Sequence, residues 1–289
     1  MSAPDPAKIE RFRDKLREEW TDERTVAAWR TWQAQLSAFT RGATEAVLEG
    51  AQLRPGMNVL DLASGVGDPA LSIATSVAPG GHVTATDLGP GMIAYAQELA
   101  KSKALRNVGF CVADAETLPF PDRSFDVVSS RFGVMFFTQQ VKAFRECRRV
   151  LKTGGRVAFV VWGRREQPFL TATIGVLMKY VEAPKPDPDA PHAFMFGERG
   201  LLESRLRAAG FTDVREEVRT VTGRWDGTPE DYWRQFTEVA APFRPLIAKL
   251  TTETRSRAEA EIFDGLRGLS RGGVLTMPLE IVIGTGVQP

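Results

Sequence analysis

Val26, Trp29, Trp32, Leu36 and Phe39 recur at three- and four-residue steps, with Glu23, Arg24, Arg30 and Gln35 between or before them. That spacing predicts one amphipathic helix with its apolar face toward a core. A charged, helix-favouring run precedes it over 1–20, behind a Pro-rich tip, and another helix over Glu45–Leu53 stops near Pro55-Gly56. The period then changes. Short apolar runs at Asn58–Leu62, Val83–Asp87, Val108–Val112, Phe125–Ser129 and Arg156–Trp162 alternate with helical stretches from Pro69, from Gly91 and over Val141–Leu151. Strand–helix alternation of this kind predicts a parallel sheet joined by right-handed crossovers. The third of these helices is expected to end on Lys152-Thr153-Gly154-Gly155, a glycine stop.

Beyond the sheet the pattern loosens. Residues 163–198, with four prolines in EAPKPDPDAPHAFMFG, read as an irregular loop over the sheet edge. Leu201–Ala209 reads as a helix stopped by Gly210, and Phe211–Val221 as a strand. Two helical stretches follow, around Glu230–Ala240 and Phe243–Leu269, and LEIVIG at Leu279–Gly284 makes a last strand. There is no internal repeat and no low-complexity tract.

The chain has 289 residues, enough for a core of about 150 to 200 residues with appended helices. With Lys plus Arg at 37 and Asp plus Glu at 36, the net charge is +1, which speaks against a surface built to neutralise a nucleic-acid backbone. Cys111 and Cys147 lie far apart and form neither a disulfide framework nor a zinc spacing. No metal is therefore expected. The charged N-terminus has no apolar signal core, and no apolar run is long enough to span a bilayer, so a soluble, cytoplasmic protein is expected.

The candidate chemistry lies in VLDLASGVGDPALSIA, Val59–Ala74, where an apolar strand ends in Asp61 and passes through Gly65 and Gly67 into a helix. Glycines let a ligand approach the backbone, and the helix start offers free N–H groups. Asp68 is placed to cap that helix, with Pro69 at its first position. The segment also satisfies the loose dinucleotide pattern G-x-G-x-x-G/A, and a tight turn with no ligand is the bland alternative. No Lys-Ser/Thr pair follows, so a phosphate-binding P-loop is not expected. Three acids narrow the choice. Asp61 precedes the turn, Asp87 ends the next strand, where an acid can accept both hydroxyls of a ribose, and Asp114 follows the third strand, where it can accept from an exocyclic amine. A ligand with a cationic aminoacyl end, a ribose and an adenine fits that spacing, and S-adenosyl-L-methionine has these parts.

VLDLASGVGDPALSIA, TATDLGPGMIAYAQ, ADAETLPFPDRSFDVVSSRFGVMFF and RECRRVLKTGGRVAFVVWG resemble the ordered motifs of class I S-adenosylmethionine-dependent methyltransferases. The L-P-F-x-D-x-S-F-D segment is similar to the ubiquinone/menaquinone-biosynthesis branch. The likeness is specific over about 57–162 and looser over 200–225 and 275–289. It implies an α/β fold: a Rossmann-like, seven-stranded, mostly parallel sheet with a C-terminal antiparallel strand, helices on both faces, N-terminal helices and a helical insertion. It implies a lid over 1–54, a cofactor-binding core over 55–225 and 275–289, and an insertion over 226–274 that contributes to the substrate pocket. Carried over by position, Asp61, Ala63, Gly65 and Gly67 line the methionine end. Asp87 holds the ribose, Leu88 and Met92 pack near the adenine, and Asp114 and Ala115 meet its amine edge. Ser130 and Arg131 border the methyl donor. Ala63-Ser64 stands where the family often has Gly-Cys or Gly-Thr.

Taken singly, Asp87 and Asp114 read equally well as helix caps or turn residues, and Met92 as core filler. Trp29 and Trp32 read first as packing residues and second as a lid. His192 reads first as a loop histidine and second as a general base, and His82 carries no role. No catalytic side chain announces itself. The aromatics Trp20, Trp29, Phe132, Phe136, Phe194, Phe196, Trp233 and Phe236 predict an apolar or aromatic small-molecule acceptor methylated on oxygen or carbon. Oligomeric state is not legible. The competing readings are a nucleic-acid methyltransferase, a non-enzymatic S-adenosylmethionine-binding protein and an NAD-dependent oxidoreductase, the last of which leaves Asp61 and Asp114 without a task.

Overall fold

A computed structural model describes residues 5–182, 187 and 189–289. Part of the Pro-rich stretch within the expected 163–198 loop, and the first four residues of the N-terminal tip, lie outside the described residues. Four helices open the chain: α1 (Pro6–Thr21), α2 (Glu23–Thr31), α3 (Gln33–Phe39) and α4 (Arg41–Ala51). The alternating unit follows as β1 (Asn58–Leu62), α5 (Ala70–Ser76), β2 (His82–Asp87), α6 (Pro90–Ser102), β3 (Val108–Val112), β4 (Phe125–Arg131), α7 (Gln140–Val150) and β5 (Leu151–Trp162). Then come α8 (Pro168–Leu170), α9 (Leu201–Ala208), β6 (Thr212–Trp225), α10 (Pro229–Val239), α11 (Arg244–Ile247), α12 (Thr252–Gly268), β7 (Ser270–Arg271) and β8 (Val274–Val287).

The sheet runs β3-β2-β1-β4-β5-β8-β6, with the two-residue β7 paired to β8. Strands β1 to β5 are mutually parallel, and β8 enters antiparallel between β5 and β6. The fold is thus α/β and Rossmann-like, and all five parallel strands point their carboxyl ends at one edge. The strand period of two sorts the apolar side chains onto opposite faces. Leu60, Leu62, Val157, Phe159 and Val161 pack with Phe144 and Cys147 of α7 and Leu202 and Leu206 of α9. Val59, Val83, Val127 and Ala158 turn the other way onto Ile73 and Ala74 of α5, while Val160 and Ile281 meet Ala43 and Val47 of α4. Each fully buried Leu, Ile or Val side chain stabilises the fold by roughly 1.5–3 kcal/mol.

The hairpin β6–β8 runs well past the parallel sheet and carries a second core. Trp225, Leu275, Met277 and Leu279 meet Trp32 and Phe39 from the N-terminal helices, Tyr232, Trp233 and Phe236 from α10, and Ile262 and Leu266 from α12. Thr228 and Asp231 close a reciprocal capping box at the start of α10, so its entry angle is fixed locally.

Several expectations are corrected. The face Val26–Phe39 belongs to two helices, α2 and α3, because the shared cap residue Trp32 takes φ −100° and ψ 9°, outside the helical range, while its N–H and carbonyl keep their ladder bonds to Ala28 and Leu36. Asp68 does not cap α5, whose cap position is Pro69; its carboxylate is drawn instead to Arg131. Lys152–Gly155 is not a helix stop: α7 ends at Val150 on an extended Leu151, and the glycines lie inside β5 where its register with β4 shifts. The expected 163–198 loop contains helix, since α8 continues as a π-turn over Thr171–Gly175 that buries Phe169, Leu170, Thr173 and Ile174. Phe243–Leu269 is not one helix but a 3-10 turn followed by α11 and α12.

Candidate active site

The carboxyl ends of β2 and β4 flank that of β1 at the turn after Leu62, with the end of β3 one strand further out. Ala63 (φ +52°), Gly65 (φ +51°) and Gly67 (φ +108°) all take left-handed backbone conformations. At Gly65 a Cβ would find nothing within 4 Å, so the backbone there is open to a ligand. At Gly67 the space is taken by Leu71 and Ala96, and the glycine serves helix packing.

Asp61 is fully buried at the end of β1. Its register partner on β4 is Ser129, whose Oγ donates to Asp61 Oδ1 at 2.6 Å. Oδ2 has no partner among the described residues, and neither has the buried Ser64 Oγ. Burial pushes the Asp61 carboxyl up to about 7, against the opposing pull of Ser129 and the Arg131 charge. A buried polar atom without a partner costs about 1–3 kcal/mol, so two of them beside an open glycine demand an occupant.

Asp87, 9% exposed, ends β2. Its Oδ2 accepts from Gly65 N–H and its Oδ1 from Gly89 N–H, each at 2.9 Å. The carboxylate therefore ties the glycine turn to the start of α6. Each oxygen keeps a lone pair for a further donor. Burial raises its pKa, the three backbone amides of Gly89, Gly65 and Leu88 opposing it. Leu88 is half-buried, and Met92 is buried, its Cγ lying 3.1 Å from where a Cβ on Gly89 would stand.

Asp114 sits beyond β3, on the same edge. Its Oδ1 accepts from Glu116 N–H at 2.8 Å, while Oδ2 lies 3.9 Å from Arg13 Nε of α1. Ala115 is buried against the α7 face. Glu116, unmarked in the sequence reading, is a hub: Thr138 Oγ1, Gln139 N–H and Nε2, and Arg13 Nη2 all donate to it. Burial alone would raise it, but these donors outweigh burial and hold its pKa below the ordinary glutamate value.

Ser130 and Arg131 close the edge from β4. Ser130 Oγ donates to Leu62 O at 2.9 Å and so braces β1. Arg131 bends back over the turn, where Nη1 donates to Asp68 Oδ2, Thr40 Oγ1 and Thr44 Oγ1, and Nη2 to the Asp68 carbonyl. Asp87 thus ties the glycine turn to β2, Asp61 lies beside that turn on β1, Asp114 follows on the next strand end, and Arg131 of β4 holds the far end of the turn at Asp68. Ser64, Ser129, Asp68, Thr40 and Thr44 were missed. Only Ser129 had a signal, its place opposite Asp61 once the parallel register is drawn. Among the described residues no cluster of metal-ligating side chains forms, and no helix is long and apolar enough to cross a membrane.

Five parallel strands, an antiparallel strand inserted next to the edge and an acid-flanked glycine turn on the first crossover define a Rossmann-like methyltransferase fold. The chain belongs to the ubiE/COQ5 methyltransferase family, whose sequence model matches residues 32–183. The methyl donor of that family is S-adenosyl-L-methionine, and the orphaned Asp61 and Ser64 oxygens, the open backbone at Gly65 and the two-handed Asp87 fit its aminoacyl and ribose groups. The chain is 40% identical over 122 residues to the ubiquinone/menaquinone biosynthesis C-methyltransferase UbiE of Bordetella avium, covering 42% of this chain and 47% of that protein. Against UbiE of Shewanella pealeana it is 32% identical over 178 residues, covering 58% and 71%. The chain spans about half the length of the first of these curated relatives. Among solved structures, the YcgJ protein of Bacillus subtilis superposes with a TM-score of 0.56 at 23% identity, over 86% of this chain and 98% of that one, which shows the fold.

Proposed function

We propose that this protein transfers the methyl group of S-adenosyl-L-methionine to a small apolar or aromatic acceptor. The observation that carries the reading is the pair of buried oxygens on Asp61 and Ser64 that have no partner among the described residues, beside an open Gly65 held by Asp87 of β2. When bound, the cofactor supplies a methyl group on a positively charged sulfur, so the protein's work is positioning and exclusion of water. Asp61 Oδ2 would accept from the ammonium group, with Ala63, Gly65 and Gly67 shaping the methionine end. Asp87 would take the ribose hydroxyls. Leu88 and Met92 would flank the adenine, and Asp114 and Ala115 its amine edge. Ser130 and Arg131 would border the donor end from β4.

The acceptor side is read from what covers the edge. Residues 1–54 act as a lid: α1 reaches Glu116 through Arg13, and Trp20 lies edge-on to Phe136 at 5.6 Å. The insertion over 226–274 adds the aromatic core of α10. Phe132, just past β4, stacks on Trp162, the last residue of β5, at 4.1 Å and 12°. An apolar, aromatic wall of this kind favours C- or O-methylation of an apolar acceptor, in line with the C-methyltransferase named among the relatives. A nucleic-acid acceptor is disfavoured by the net charge of +1.

Calorimetric titration with S-adenosylhomocysteine tests the cofactor assignment. Wild type should bind, and Asp87→Ala should lose about 1–3 kcal/mol of that binding. Tritium transfer from labelled cofactor into a metabolite extract then separates an enzyme from a protein that only binds the cofactor. Binding of NADH in place of S-adenosylhomocysteine would overturn the proposal.

A further inference from the structure

Arg131 is an unusual wall for a crevice lined with acids. Its side chain is 10% exposed, yet it makes four hydrogen bonds and leaves Nε buried without a partner among the described residues. Asp68 explains the arrangement. Its Oδ2 takes Nη1 at 2.7 Å and its carbonyl takes Nη2 at 3.1 Å, so it spans the end of the planar guanidinium. The adjoining edge, Nε–H beside the second Nη2–H, has no acceptor among the described residues. That edge is the fork that matches a carboxylate with two parallel hydrogen bonds. Thr40 and Thr44, at the start of α4, hold the guanidinium from behind, so the edge is fixed before any ligand arrives.

The cofactor is a zwitterion at its methionine end. Its ammonium suits Asp61, but its α-carboxylate would be repelled by Asp61 and Asp68 unless a cation stands in the same wall. We propose that Arg131 receives the α-carboxylate of the cofactor along its Nε–Nη2 edge, while Asp68, Thr40 and Thr44 hold that edge in place. The proposal rests on the cofactor reading above and adds a residue role to it. Arg131 is then both the carboxylate ligand and the tie that joins β4, the glycine turn and α4.

The test compares S-adenosylhomocysteine with its decarboxylated counterpart, S-adenosyl-3-thiopropylamine, by calorimetry on wild type, Arg131→Gln and Arg131→Lys. Wild type should prefer the carboxylated ligand by about ten- to a hundredfold, as for a charge-assisted bond. In Arg131→Gln that preference should fall to near unity while the decarboxylated ligand binds as in wild type, which also shows that the site is intact. Arg131→Lys keeps the charge without the planar fork and should retain only part of the preference. Equal loss of both ligands in the variants would make Arg131 a structural brace only and overturn the proposal. So would a wild type that does not distinguish them, or an Arg131→Lys preference equal to that of wild type. A wild type that binds neither nucleoside would overturn the cofactor reading and this proposal together.

Discussion

At the scale of single residues, Asp61 stands out because it is buried with one oxygen satisfied and the other without a partner among the described residues. Its carboxyl is raised from 3.8 to about 7 by desolvation, so the free protein near pH 6 holds it largely protonated. The sign of the consequences follows from linkage. Between pH 3.8 and about 7 the unfolded chain has lost this proton and the folded chain keeps it, so this group's contribution to stability is full below that window and is lost as pH rises through it. An ammonium ligand reverses the preference, since it pairs with the ionised form. Binding of S-adenosylhomocysteine should therefore tighten as pH rises through about 7, and Asp61→Asn should flatten that rise. Calorimetry at several pH values reads it, and an unchanged profile in the variant would remove Asp61 from the ammonium subsite. The thermal stability of ligand-free Asp61→Asn, relative to wild type, should rise across the same window. Asp61 and Asp87 were legible in the sequence because each ends an apolar run. Ser64 and Arg131 were not legible in these roles: nothing local shows that one hydroxyl is left without a partner, or that a β4 side chain folds back to a residue 63 positions earlier.

At the scale of elements, helices and strands must approach closely where small residues allow it, and the glycines of the helices separate two physical cases. Gly42 lies in α4 with a Cβ position only 2.7 Å from Val221 Cβ of β6, whereas Gly268 ends α12 with nothing within 4 Å. Alanine is better than glycine inside a helix by about 1 kcal/mol. At Gly268, the last residue of α12, part of that gain should appear as a higher urea midpoint. At Gly42 overpacking costs about 1–3 kcal/mol, which outweighs the gain, so Gly42→Ala should lower the midpoint. Equal shifts in the two variants would show that α4 can move off the sheet. The same close-packing logic explains which elements the sequence revealed. Runs such as Asn58–Leu62 and Val108–Val112 were read to the residue because they are apolar, short and bounded by turn residues. The helical stretch after Pro168 was hidden by the prolines that follow it, although Leu170, Ile174 and Leu177 keep a helical spacing and are buried. The α7–β5 junction was misplaced because no turn residue separates them, and the glycines that looked like a stop belong to an irregularity in the β4–β5 pairing.

At the scale of the whole molecule, the question is how α1 stays on the core, since none of its residues is fully buried. Its fastenings differ in strength. Lys8 pairs with Asp187 and Asp189, whose side chains are 39% and 56% exposed, and pairs of that kind contribute about 0–1 kcal/mol. Arg13 instead reaches Glu116, whose side chain is 5% exposed, at 2.6 Å, and stands 3.9 Å from Asp114 Oδ2. Removing Arg13 leaves a buried carboxylate short of its only cation among the described residues, and it unties α1 from the strand end proposed above to meet the adenine. Arg13→Ala should accelerate amide hydrogen exchange over 6–21 while leaving β1, β4 and β5 protected, and should speed dissociation of S-adenosylhomocysteine in stopped-flow displacement. Lys8→Ala should change neither beyond a small factor. Salt discriminates the same way: at about 1 M, where screening acts within roughly 3 Å, the exposed Lys8 pairs should be silenced and the Arg13–Glu116 contact largely retained. Exchange in α1 that responds equally to both substitutions would mean that the helix is held by Trp20 packing on Trp29 and Phe136, and that the charges on it fasten nothing.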